Sequence, residues 1–136
     1  MRCGGATPIL LNVLFRRRNA RRRSEGRDVE ASLESYETET ERGARGKKLA
    51  DSIIKERLAA CVNIVPGIES VYWWEGKVQT DSEELLIIKT RESLLPVLTE
   101  HVKANHEYDV PEVIAMPITG GNTKYLEWIK NNTMEN

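Results

Sequence analysis

Residues 61–90, CVNIVPGIESVYWWEGKVQTDSEELLIIKT, decide the fold of this chain. Their β-branched and aromatic residues flank Glu75-Gly76, a pair that suits a two-residue turn, so the stretch predicts one long β-hairpin. Pro66-Gly67 interrupts the outgoing strand and predicts a β-bulge or a sharp bend. Four consecutive apolar residues at 85–88 predict that the returning strand is covered on both faces by its end.

The hairpin is too long for the rest of the chain to cover. Each arm has about 13 residues, which at roughly 3.3 Å per residue makes a ribbon on the order of 43 Å long. Bare two-stranded arms are marginally stable in water, and an exposed apolar patch marks an interaction surface. The sequence therefore predicts an oligomer in which another copy covers the tip residues Tyr72, Trp73, Trp74 and Val78.

The apolar residues of the outgoing strand fall on two parities. The first set is Val62, Ile64, Ile68, Tyr72 and Trp74, and the second is Val65, Val71 and Trp73.

Composition bounds the class of protein. A chain of 136 residues with 40% hydrophobic and 30% charged residues is typical of one soluble globular domain with at most an appendage. No apolar run approaches the roughly 20 residues of a membrane span. The two cysteines, Cys3 and Cys61, lie far apart and outside any CxxC motif, so neither a disulfide scaffold nor a zinc knuckle is indicated.

Charge divides the chain. The first 24 residues hold seven arginines and no acid, a composition typical of organelle transit peptides. A disordered basic tail or an incorrectly predicted first exon is the alternative. From Asp28 onward, 12 Lys and Arg against 20 Asp and Glu give −8, which repels nucleic acid and concentrates cations. We expect residues 1–46 to be a basic tail followed by an acidic linker, and residues 133–136 to be a tail.

Hydrophobic periodicity orders the elements. A helix over residues 47–60, the hairpin, a helix starting at Ser93, a strand over residues 110–118 and a last helix capped by Asn122 or Thr123 are predicted in turn. One strand before the first helix would complete βαββαβ, the ferredoxin-like arrangement of an α+β fold. Residues expected to line the helix faces are Leu49, Ile53, Ile54, Leu58, Leu94, Leu98, Val102, Tyr125, Leu126, Trp128 and Ile129.

Few residues suggest chemistry. Cys61 can be interpreted either as a small buried hydrophobic residue or as a soft ligand for copper. His106, in a loop with Glu107, Tyr108 and Asp109, reads as a divalent-ion ligand or as an exposed polar residue, and His101 is expected on the surface. No GxSxG, HExxH or phosphate-binding glycine loop occurs, so we expect no enzyme, and no RNP1 pattern indicates RNA binding.

Several linked motifs stand out: ERLAACVN at residues 56–63, YWWEGK at 72–77 and HEYDVPE at 106–112, supported by residues 48–50 and 84–90. Together they closely resemble the CutA family of divalent-cation tolerance proteins, its plant members in particular. The resemblance covers residues 46–132 and puts the domain at about 47–132. It implies a ferredoxin-like domain, similar to the PII signalling proteins, in a stable homotrimer that binds copper or other divalent cations. It also favours a chloroplast address.

The resemblance carries over to single residues. Cys61 and His106 match the family's implicated metal ligands, and Trp74, Lys77, Lys89, Tyr108 and Glu112 match residues of a cleft between subunits. The alternative for this second set is a group of solvated strand-edge residues. Two rival functions remain: a PII-like module that binds a small molecule or a partner protein at the clefts, and an unrecognised enzyme that uses Lys89, Tyr108 and Glu112.

The segment before the first helix departs from the family. Relatives begin with an apolar strand of the type VVVYVTVPN, whereas this chain has SYETETERGARG at residues 35–46. Some relatives place a metal-binding cysteine near that strand. Either PILLNVLF at residues 8–15 reaches back across a loop of about 30 residues, or the fold is incomplete, or the gene model is misassembled, and the last is favoured.

Overall fold

The computed structural model describes residues 7–16, 39–106 and 110–135. In these ranges the chain forms an antiparallel sheet and three helices. The strands are β1 (Pro8–Arg16), β2 (Cys61–Trp74), β3 (Lys77–Arg91) and β4 (Val113–Pro117). The helices are α1 (Glu39–Lys55), α2 (Leu95–Ala104) and α3 (Thr123–Asn131), and a 3-10 turn over Glu92–Leu94 precedes α2.

The order of the strands confirms the predicted fold class. Across the sheet they run β2-β3-β1-β4, and each neighbouring pair is antiparallel. This is the ferredoxin-like arrangement, with β1 in the centre and α3 added after β4.

Residues 8–16 supply the first strand, as the explanation in which PILLNVLF reaches back to the sheet predicts. Ile9, Leu11 and Val13 alternate along β1 and are buried against the helices. The long connection does not prevent this pairing, because the entropy cost of closing a loop rises only with the logarithm of its length. The structure therefore differs from the expected boundary at residue 47, since β1 and the start of α1 at Glu39 lie before it.

The first helix also ends earlier than predicted. It stops at Lys55 rather than at residue 60, and Arg57 adopts a positive φ of 55°, the left-handed conformation in which many helices end. Leu49 and Ile53 of the predicted apolar face are buried. Leu58 lies beyond the helix but is buried as well, whereas Ile54 is exposed.

The hairpin has the predicted two-residue turn. Glu75 and Gly76 both have positive φ, 50° and 76°, as the tight turns that match strand twist require. A register shift between Val65 and Ile68 confirms the bulge at Pro66-Gly67.

The bulge moves the outer part of β2 to the other face of the sheet. Val62 and Ile64 pack against the core under the helices. Beyond the bulge, Ile68 lies opposite Glu83, as Val65 lies opposite Leu85, which puts Ile68, Tyr72 and Trp74 on the side away from the helices. Consistently, the Tyr72 hydroxyl donates a hydrogen bond to the Asp81 carboxylate.

The core lies between α1, α2 and one face of the sheet. The opposite sheet face, which we call the open face, is only half-buried at Leu85 and Ile87, so one copy does not cover the run 85–88 on both sides. The core residues are Ile9, Leu11, Val13, Leu49, Ile53, Leu58, Ala59, Leu86, Ile88, Leu98 and Val102.

The later elements differ from prediction at their ends. Ser93 lies in the 3-10 turn and does not cap α2, although Pro96 is in the first turn as expected. Strand β4 is shorter than predicted. Asn122 caps α3, because its side chain accepts hydrogen bonds from the amides of Lys124 and Tyr125.

The chain end packs against β3. Ile129 docks α3, whereas Tyr125 and Trp128 of the predicted docking face stay partly exposed. Arg91 is buried, and its guanidinium donates to the Thr133 hydroxyl and to the carbonyl oxygens of Thr133 and Met134. Thr133 therefore belongs to the folded domain rather than to a tail.

Candidate functional site

Cys61 opens β2 on the open face of the sheet. It lies opposite Lys89 of β3 in the register and is half-buried. Its Sγ is 4.0 Å from Oδ1 of Asn63, the next residue on the same face. The thiol is thus held at the sheet surface rather than sealed in the core.

A basic and aromatic cluster adjoins Cys61. Lys89 Nζ donates to the Tyr125 hydroxyl at 3.2 Å and lies 5.5 Å from the centroid of the Tyr125 ring. Tyr125 stacks on Trp128 with ring centroids 5.6 Å apart. Sequence reasoning expected Lys89 here but missed Tyr125 as its partner. The aromatic pair three residues apart on α3 was the available signal.

His106 lies at the other end of β1. Its Nε2 is 3.1 Å from the carbonyl oxygen of Leu14. The neighbouring Glu107, Tyr108 and Asp109 lie outside the described residues. Glu112 is exposed immediately before β4, where Val113 pairs with Val13. His106 and Glu112 therefore share the end of the sheet near Leu14.

One copy does not bring Cys61 and His106 together. In the register Cys61 lies in the row of Lys89 and Leu10, and Leu14 lies four residues further along β1. Four strand residues span about 13 Å. Within the described ranges, no group of three or more His, Cys, Asp or Glu side chains could hold a metal ion.

Trp74 and Lys77 are remote from the other cleft candidates. They pair with each other beside the hairpin turn. Lys89 lies twelve residues further along β3, or about 40 Å. The described candidates Trp74, Lys77 and Lys89 therefore do not converge within a single copy.

The outer hairpin projects beyond the sheet. Strand β1 pairs with β3 only between Glu83 and Arg91, so the stretches 68–74 and 77–82 pair with each other alone. We call them the hairpin arm. Four of its apolar side chains are more than half exposed: Val71 is 66% exposed, Trp73 71%, Trp74 56% and Val78 65%.

His101 is not the surface residue that was expected. Only 13% of its side chain is exposed. Its Nε2 is 2.9 Å from Ser52 Oγ, and its Nδ1 is 3.6 Å from the Glu56 carboxylate. The Ser52 hydroxyl also donates to the Leu49 carbonyl oxygen at 2.8 Å. The cluster joins α1 to α2.

The open face and the hairpin arm carry most of the residues that sequence motifs had singled out, and comparison with known proteins places them in a family. Residues 36–132 match the model of the CutA1 divalent ion tolerance protein family. The chain belongs to the CutA family. The ferredoxin-like domain with a projecting hairpin is therefore the CutA fold, and the recognition made from the motifs is confirmed.

Plant proteins are among the most similar relatives. Protein CutA 1, chloroplastic, of Oryza sativa subsp. japonica is 86% identical over 90 residues, which cover 66% of this chain and 51% of that protein. Protein CutA, chloroplastic, of Arabidopsis thaliana is 76% identical over 102 residues, 75% of this chain and 56% of that protein. This CutA chain thus spans about half the length of these relatives.

Solved structures agree with the fold. The crystal structure of CutA1 from Oryza sativa superposes with a TM-score of 0.75 at 60% identity, covering 96% of this chain and 99% of that one. The divalent cation tolerance protein of Thermus thermophilus superposes with a TM-score of 0.72 at 36% identity, covering 93% and 99%. In the described part of the chain no helix is long and apolar enough to cross a membrane.

Proposed function

We propose that this chain acts as a homotrimeric copper-binding protein in metal-ion tolerance, located in the chloroplast. Its membership of a family named for divalent-ion tolerance supports the metal-related role, and the chloroplastic names of its plant relatives support the location. The structural observation that supports the assembly is the exposure of apolar side chains on the hairpin arm.

The surfaces that the arm and the open face leave uncovered support an assembly of several copies. Two tryptophans and two valines of the arm are more than half exposed, and burial of such side chains contributes roughly 1.5–3 kcal/mol each. The open face adds half-buried Leu85 and Ile87. Neighbouring copies that shelter both surfaces also bring the tip of one copy toward the sheet of the next.

Copper binding rests on Cys61. A thiolate is a soft donor and selects copper over harder cations. One described copy supplies this one thiol, with Lys89 beside it. Further donors must come from water or from another subunit, which is why the proposed binding is weak. The acidic domain raises the local cation concentration around the site.

Anaerobic titration with Cu(I) against a chromophoric competing chelator tests the ligand. We expect Cys61→Ala to weaken copper binding by about tenfold or more, equivalent to about 1.4 kcal/mol. Cys3→Ala is the matched control, since it removes the other thiol of the chain. Unchanged affinity in Cys61→Ala, or an equal loss in Cys3→Ala, would remove Cys61 from the site.

The Lys89–Tyr125–Trp128 cluster favours one second candidate, a PII-like module. A cation beside stacked aromatic rings suits a small anionic or aromatic ligand at a cleft between subunits. A ligand that binds only the native state raises the midpoint of thermal unfolding. A metabolite screen that raises the midpoint in the wild type but not in Lys89→Met and Tyr125→Leu would support this module over copper binding.

A further inference from the structure

Strand β1 is held between its two neighbours along its length. It pairs with residues 83–91 of β3 on one side and with Val113–Pro117 of β4 on the other. The ladder continues at its start, where the amide of Glu92 donates to the Thr7 carbonyl and the amide of Ile118 donates to the Pro8 carbonyl. Without β1, both β3 and β4 would present unpaired backbone groups.

The side chains of β1 complete the core. Leu11 and Val13 have no exposed surface, and Ile9 is 4% exposed. They belong to the same buried cluster as Leu86 and Ile88 of β3. A segment with apolar side chains at alternate positions therefore fills a cleft that the rest of the domain leaves open between β3 and β4.

The connection from β1 to α1 is long in sequence. Residues 17–38 separate Arg16 from Glu39, and 22 residues can span up to about 75 Å when extended. Connections between neighbouring elements of compact α/β units have about 2–6 residues. With so long a tether, the position of β1 depends on its non-covalent contacts with β3, β4 and the core.

We propose that the cleft between β3 and β4 is a strand-binding site. Its ligand class is an extended, antiparallel peptide with apolar side chains at alternate positions, and the occupant is the chain's own segment 8–16. This is the strand-addition mode of peptide recognition, in which main-chain hydrogen bonds give affinity and alternate side chains give specificity.

The site constrains processing of the N-terminus. Arg16–Arg18 and Arg21–Arg23 follow β1 directly, so a presequence cut in this arginine-rich run would remove the central strand. The mature protein therefore keeps residues 8–16, and any removal of a presequence occurs before Pro8. Residues 1–27 resemble a transit peptide in composition, but the proposal predicts that residues 8–16 are not cleaved off.

Cutting the tether of the full-length chain tests the site. A recognition sequence for a specific protease is inserted between Ser24 and Glu25, and the folded protein is cut and passed over a gel-filtration column. We expect the N-terminal fragment to co-elute with the remainder in buffer and to separate in guanidinium chloride. Separation in buffer, whether or not the remainder stays folded, overturns the proposal.

Variants test which contacts retain the strand. In the cut protein Leu11→Glu places a charge in the core, and we expect release of the fragment in buffer. Thr123→Glu adds the same charge at an exposed position in the first turn of α3, and we expect retention. Equal retention in both variants overturns the proposal.

A peptide assay covers the case in which Leu11→Glu prevents folding. The cut wild-type protein is briefly denatured and refolded with an excess of labelled peptide 7–16. The wild-type peptide is expected to enter the complex and a Leu11→Glu peptide to stay out, whereas equal incorporation of both contradicts the site.

The intact mass of the protein from its native source must also include residues 8–16, and a mature N-terminus after Arg16 overturns the processing constraint.

Discussion

Thr90 shows how a single buried hydroxyl holds two parts of the chain together. Its side chain has no exposed surface, and its Oγ1 donates to the Leu58 carbonyl oxygen at 2.6 Å. Leu58 follows α1 in the segment that leads into β2. We expect Thr90→Val, which keeps the shape but leaves this buried carbonyl unpaired, to lower the free energy of unfolding by about 1–3 kcal/mol in urea titrations.

A second threonine provides the matched control. Thr99 Oγ1 donates to the Leu95 carbonyl oxygen one turn earlier in α2, and that bond joins no separate elements. Thr99→Val should change the free energy of unfolding by less than about 0.5 kcal/mol. A loss in Thr99→Val as large as that in Thr90→Val would show that the valine substitution itself, rather than the Leu58 contact, is destabilising.

At the scale of single residues, the sequence identified several members of the candidate site but not the groups that they contact. The motifs identified Cys61, His106 and Lys89, because they are chemically distinctive residues in recognisable strings. Their partners, the Leu14 carbonyl and the Tyr125 hydroxyl, are distant in sequence and come from strand register and helix docking. The burial of His101 depends in the same way on how α2 packs against α1.

The hairpin turn is an element whose backbone requirement was readable from the sequence. Gly76 has φ of 76° and no atom within 4 Å of the position of an added Cβ, so a side chain there would meet only backbone strain. We expect Gly76→Ala to lower the free energy of unfolding by about 1–2 kcal/mol. Chemical denaturation at one fixed protein concentration measures the change.

Two other substitutions separate turn strain from the general effect of adding a methyl group. Gly120 also has open space around it, and its φ lies outside the left-handed region. Gly120→Ala should therefore be neutral or stabilise by less than about 1 kcal/mol. Glu75→Asn should stabilise the turn, because asparagine tolerates the positive φ found at Glu75. Equal losses at Gly76 and Gly120 would contradict the turn assignment.

Strand β1 and the bulge show why element prediction succeeded only in part. Hydrophobic periodicity located the two later helices and the hairpin. Residues 8–16 were harder to assign to a strand, because the arginine-rich sequence beside them is typical of a targeting segment. Only the unpaired edges of β3 and β4 reveal that a strand is needed there. The Pro66-Gly67 bulge was readable, yet its effect on Ile68, Tyr72 and Trp74 depends on the register with β3.

At the scale of the whole molecule, a single chain leaves apolar side chains exposed to water. Helices α1 and α2 cover one side of the sheet and α3 packs beside Lys89 of the open face, while the rest of the open face and the hairpin arm expose apolar side chains. Ionic groups on the arm, such as Lys77 beside Trp74, frame the patch without covering it. Burial between copies accounts for both surfaces at once, and it would place Trp74 and Lys77 of one copy near strand residues of another.

A charge at the centre of the arm should therefore break the assembly while sparing the domain. Trp73 is 71% exposed within one copy and contributes nothing to the core, so Trp73→Lys should keep the circular dichroism of the wild type. Analytical ultracentrifugation should show the wild type as a trimer and Trp73→Lys shifted to single subunits. Val97→Lys is the control, because Val97 is an exposed apolar residue of α2, outside the arm, and it should leave the trimer intact. A wild-type chain that sediments as a folded single subunit, or a Trp73→Lys variant that remains trimeric, would show that the arm does not hold the copies together.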